Sequence, residues 1–178
     1  YFPATLIFKP LIILSAFFLF FFWKNNLNLF NELKKNKILS EFPKKFFIFG
    51  VLSCIFLFFH ATLLGVDLHS ESFSKLRRLI IILFIVFELC AQITLTKNLL
   101  KFKKELTNYI SPLILKIKVI FVTVIILVTC FLFTLLIWGD LATTTKHTAE
   151  WNYFSILLIY YMLSRLLWKK TKPKLTHP

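Results

Sequence analysis

The chain has 178 residues, 58% of them hydrophobic and 23 of them Phe, and carries a formal charge of +14. A soluble domain of this length has no core large enough to hide so much apolar surface. The basic residues lie between the apolar runs, where anionic headgroups account for them, which speaks against nucleic acid as a partner.

The first apolar run spans 5–23, from Thr5 to Trp23, with Lys9 near its start placed to snorkel toward the interface. The chain opens on Tyr1 and enters this run at once, without the order of basic leader, apolar core and cleavage site that marks a signal peptide, and it reads as a fragment. The first linker carries Lys24, Lys34, Lys35, Lys37, Lys44 and Lys45. Its segment NELKKNKILSEF reads either as a short amphipathic helix on the membrane surface or as a solvated turn.

Span two runs over 46–66 and contains VLSCIFLFFHATLLGV. Gly50 and Cys54 form a small-xxx-small pair suited to a helix contact. His60 lies in the outer half of this span among phenylalanines, and such a residue reads as hydrogen-bonded packing or as a ligand. The linker after it, DLHSES, holds Asp67, His69 and Glu71.

Span three covers 79–96. Glu88 sits midway along it, where a charged carboxylate costs at least about 2.5 kcal/mol. Gln92 is four residues on, hence on the same face. Two polar groups on one face of a greasy helix are expected to point into the bundle. One reading makes Glu88 a proton relay or an ion or headgroup contact. The other makes it a neutral acid bonded to Gln92 or to a neighbouring helix, with a span-four hydroxyl (Thr123, Thr129 or Thr134) as a candidate partner.

Span four, 113–138, is the longest and either tilts or begins in the interface around Lys116 and Lys118. The linker after it holds Asp140, His147 and Glu150, and span five covers 151–168 with Arg165 snorkelling near its end. Trp23, Trp138, Trp151 and Trp168 fall at predicted span ends, where amphipathic rings prefer to sit. The three cysteines, Cys54, Cys90 and Cys130, lie inside apolar runs without CxxC spacing and read as small buried hydrophobes. Only 3 glycines occur, which argues against a transporter with broken helices and leaves little room for a nucleotide-binding loop.

Five spans impose an alternation on the linkers, and the basic residues follow it, with 17 on one side and five on the other. The C-terminus is therefore expected in the cytoplasm. The fold class is all-α, a polytopic membrane helix bundle of five transmembrane helices forming a single integral membrane domain over 1–178. The expected partners are the bilayer itself and anionic lipid headgroups at the basic cytoplasmic loops.

The polar outer ends place His60, His69 and His147 on the same side as Asp67, Glu71, Asp140 and Glu150. No HxxxH or HExxH spacing puts two of them on one helix face, so neither a metal nor another cofactor is expected. A hydrated polar rim is the plain reading. The choice lies between a non-catalytic multi-pass membrane protein (sensor, scaffold or lipid-organising factor) and a membrane-embedded lipid-modifying enzyme that uses the outer-face His and carboxylate residues.

A His just before a span, a Gln at that span's far end and a Glu-Trp pair opening the last span stand here as His69, Gln92 and Glu150–Trp151. In these the chain resembles the Frag1/DRAM/Sfk1 family of six-span membrane proteins, over roughly Asp67 to Trp168. The resemblance implies that the five spans correspond to the family's second to sixth. It also implies a non-enzymatic protein linked to lipid organisation, stress response or trafficking, with no catalytic residues to carry over.

Overall fold

The computed structural model describes residues 2–39, 43–64, 66, 71–138 and 143–169, with the side chains of 2–5, 131–138, 143–151, 153 and 154 outside that description. The fold is all-α, with five helices in the order α1 (Phe2–Lys35), α2 (Lys45–Leu63), α3 (Glu71–Lys101), α4 (Pro112–Trp138) and α5 (Thr143–Leu167). The first four are long and apolar enough to cross a membrane, while the apolar part of α5 among the described residues is the shorter Ser155–Leu167. The helices read as membrane elements because their outward faces are apolar. Phe17, Phe18 and Phe21 on α1 and Ile120 and Leu127 on α4 are all exposed.

Helix α1 is longer than the first span read from the sequence. It continues past Trp23 without a break, and its 34 residues reach about 51 Å at roughly 1.5 Å per residue, against about 30 Å of hydrocarbon. Of the segment NELKKNKILSEF, residues 31–35 are the last part of α1, 36–38 form the turn that follows, and 40–42 lie outside the described residues. Buried Phe30 and Leu33 hold this extension in place.

The helix stops in a Schellman turn. The Ile38 N–H donates to the Leu33 carbonyl at 3.0 Å and the Lys37 N–H to the Lys34 carbonyl at 3.0 Å, with Lys37 in the left-handed region at φ 56. A glycine is the usual occupant of that position.

The chain divides into two compact units, Tyr1–Asn98 and Leu99–Pro178. In the first unit α1 and α2 are antiparallel. Lys9 near the start of α1 meets the end of α2 by donating to the Thr62 carbonyl at 3.0 Å, and Phe30 late in α1 packs on Phe46 early in α2 with ring centroids 5.8 Å apart. Lys9 thus caps a carbonyl in the last turn of α2, where the helix dipole favours a cation. Phe87 of α3 stacks on Phe56 of α2 with centroids 5.4 Å apart and planes within 2°.

Buried positions recur at alternating three- and four-residue steps: Ala16, Leu19 and Trp23, then Phe30 and Leu33, on α1, and Phe84, Glu88, Ala91 and Leu95 on α3. This is the narrow seam of coiled-coil-like packing. Among the described side chains, α1 and α4 bury such a stripe and leave apolar residues outside, Phe17 and Phe18 on α1 and Ile120 and Leu127 on α4.

In the second unit the segment between α3 and α4 is tied to the end of α5. Ile110 and Trp168 form an antiparallel bridge. The Ser111 N–H donates to the Leu167 carbonyl and the Lys169 N–H to the Tyr109 carbonyl, both at 2.9 Å. Helix α4 starts at Pro112, whose missing N–H costs nothing in a first helical turn.

Candidate functional site

Glu88 is fully buried in the first unit, and side chains from three helices converge on it. The Ser53 hydroxyl of α2 donates to Oε2 at 2.7 Å. The Trp23 indole N–H of α1 reaches the same oxygen at 3.3 Å. The Gln92 amide donates to Oε1 at 3.1 Å, one turn along α3. A carboxylate offers roughly four lone-pair sites and can take all of these donors at once, and every one of the three is a neutral group.

The local sequence explains why the indole fits. A Cβ on Gly50 would stand 2.4 Å from Trp23 Cγ and 2.5 Å from Cδ2, so the ring lies directly on the glycine backbone. Trp23 is fully buried there. This corrects its reading as an interfacial ring at a span end, since α1 runs on for about three more turns beyond it at roughly 3.6 residues per turn. The Gly50–Cys54 face does form a helix contact, and its content is an indole seated on a glycine.

Ser53 gives the site a second hydrogen-bonding state. Its hydroxyl lies 2.7 Å from the Gly50 carbonyl as well as 2.7 Å from Glu88 Oε2. Facing a carboxylate, Ser53 donates to Glu88. Facing a carboxylic acid, it accepts the acid proton and donates to the Gly50 carbonyl. Either protonation state of Glu88 is satisfied without moving a helix.

The structure places Gln92 beside Glu88, as their four-residue spacing predicts, with both side chains fully buried. Of the span-four hydroxyls, Thr123 is exposed and donates to the Val119 carbonyl at 3.0 Å, and the side chain of Thr134 lies outside those described. His60 is half-buried on α2. Asp67 and His69 fall outside the described residues, as do Asp140 and the side chains of His147 and Glu150. Of the residues that carry the family resemblance, Gln92 alone has a side chain among those described in full burial.

A second buried polar centre lies in the other unit, where the sequence reading expects none. Lys118, which one of the two readings of span four puts at the interface, is fully buried. Its Nζ donates to the Ser164 hydroxyl at 2.6 Å and stands 4.2 Å from the centroid of the Tyr160 ring. Ser164 in turn donates to the Tyr160 carbonyl at 2.9 Å. The sequence holds a partial signal, since Lys118 follows Leu115 by three residues and precedes Val122 by four, on the stripe that packs inward.

Comparison with protein-family models, with curated proteins and with solved structures finds no match.

Proposed function

We propose that this chain is a non-catalytic multi-pass membrane protein, a scaffold that organises lipid around its basic cytoplasmic edge, with its C-terminus in the cytoplasm. The observation that carries the reading is the state of Glu88. The most conspicuous intramembrane acid in the sequence is fully buried and engaged by donors from three helices. A group held in that way fixes the packing of α1, α2 and α3. A carboxylate used for acid–base chemistry needs reach to a substrate atom.

The orientation is supported by the distribution of Lys and Arg between linkers. Purified protein in vesicles of phosphatidylcholine and phosphatidylglycerol should leave both lipids chemically unchanged over hours, as followed by lipid mass spectrometry. Turnover that is lost in a Glu150→Gln or His69→Ala variant would establish the lipid-modifying enzyme instead. For the orientation, cysteines placed at Lys35 and Lys75 should label from opposite sides of the membrane, and labelling from the same side defeats it.

A further inference from the structure

We infer that the end of the second unit built from residues 101–116 and the last turn of α5 is a preorganised binding platform for an anionic phospholipid. Lys101, Lys103, Lys104, Lys116, Arg165 and Lys169 are all exposed there, with Glu105 as the acidic residue among them.

A string of lysines in a linker is ordinarily a mobile cloud of charge. This one is fixed. The Ile110–Trp168 bridge joins the segment to the end of α5. Lys169 is anchored at both its backbone and its side chain, the N–H on the Tyr109 carbonyl at 2.9 Å and Nζ on the Thr107 carbonyl at 3.1 Å. Phe102, Leu106 and Ile110 are buried beneath the same segment. The lysines therefore project from an ordered backbone, and an anion that binds them meets little ordering cost in the chain.

The surroundings select the class of anion. Leu113 at the start of α4 is 65% exposed and Leu166 at the end of α5 is 61% exposed, beside the exposed charges of Lys116 and Arg165. Acyl chains match the apolar flank and a phosphate matches the basic rim, so both halves of a phospholipid find a partner within a turn of helix. A soluble phosphate or an acidic protein segment would use only the rim. The inference rests on the membrane orientation proposed above.

The test is native mass spectrometry of the detergent-solubilised full chain titrated with phosphatidylglycerol, phosphatidylcholine or inorganic phosphate. Phosphatidylglycerol should bind in preference to phosphatidylcholine. Replacing Lys101, Lys103, Lys104 and Lys116 by Gln should weaken it by at least about tenfold, given what each basic residue contributes at an anionic surface. A matched variant in the first unit, with Lys34, Lys35, Lys44 and Lys45 replaced by Gln, should lose less than about threefold, where per-residue attraction alone predicts equal losses in the two variants.

Equal losses in the two variants would mean diffuse charge and overturn the platform. Inorganic phosphate displacing phosphatidylglycerol would overturn the lipid assignment. Should the fourfold variant fail to fold by circular dichroism, the single exposed Lys103→Glu change serves in its place, and unchanged phosphatidylglycerol binding there also overturns the inference. Failure of the underlying orientation looks different, because Lys103→Cys would then label from the outside whatever its lipid binding.

Discussion

The two units bury ionisable groups of opposite kind, an acid and an amine, and hold them by different chemistry. Glu88 gathers donors from α1, α2 and α3, whereas Lys118 meets one hydroxyl and one aromatic face, both on α5. The difference follows from what each group can bond. A carboxylate is an acceptor, and membrane helices supply side-chain donors such as indole, hydroxyl and amide. An ammonium is only a donor, and the backbone carbonyls around it are already taken by helix bonds. An acid can therefore join several helices, while a lysine pins one pair and fills the rest of its shell with a ring. The acidic centre should then contribute more to folding than the basic one.

Glu88→Leu tests that ranking with the largest expected effect. It leaves the Trp23 indole, the Ser53 hydroxyl and the Gln92 amide without their shared acceptor, although Ser53 keeps the Gly50 carbonyl. At the magnitudes seen for hydrogen bonds within membranes and for orphaned buried donors, the loss should be about 2–4 kcal/mol. Unfolding by SDS titration in mixed micelles, followed by circular dichroism, measures it. A loss below about 1 kcal/mol, the scale of one such bond, would mean the three contacts do not act together.

Gly50→Ala attacks the same centre through packing. The new methyl lands against Trp23, and overpacking of this kind costs about 1–3 kcal/mol. The effect should depend on the indole. In a Trp23→Leu background the same change should cost far less, and a double-mutant cycle by SDS unfolding reads the coupling. Additive costs would place the damage elsewhere on α2.

Glu88→Gln should be milder still, about 1 kcal/mol or less. The carbonyl oxygen of the substituted amide can take the place of Oε2, facing Ser53 and Trp23. The amide nitrogen then faces Gln92, whose own amide can turn over to accept. Melting temperature in detergent checks this, and a variant as unstable as Glu88→Leu would show that the negative charge itself is required.

Much of the fold is legible in the sequence. A run such as LIIILFIVFELCAQI can be satisfied only as a helix in lipid, so helix number and approximate position follow from composition. What cannot be read is which stripe of each helix turns inward. Most of α1 and α4 is apolar all round, and a helix without a polar face carries no periodic signal. Only the rare polar residues break that degeneracy. Glu88 and Gln92 do so for α3, and the site is visible on that side. Its other half is not, because Ser53 looks like any serine in a span and the hydropathy pattern puts Trp23 at the interface. The extension of α1 to Lys35 is hidden for a related reason, since hydropathy marks where lipid ends and a helix obeys its own capping signals. Lys118 escapes notice because a lysine six residues into a helix reads as a snorkelling one unless its stripe is compared with Leu115 and Val122.

Lys118→Met carries the smallest expected effect and bears most directly on the contrast between the two centres. Methionine keeps the unbranched stem and places a polarizable sulfur near the Tyr160 ring, a contact worth about 0.3–1.5 kcal/mol. Ser164 loses a donor but retains its own bond to the Tyr160 carbonyl, so its buried hydroxyl keeps a partner. The burial cost of an amine disappears at the same time, and replacing a buried charge by an apolar group of similar shape is often neutral or stabilising. SDS unfolding should therefore place Lys118→Met within about 1 kcal/mol of the parent, in either direction. The two centres differ because removing the acid strands the Trp23 indole on α1, while removing the amine strands nothing. A loss as large as that of Glu88→Leu would erase the distinction and make Lys118 a tie of equal rank between α4 and α5.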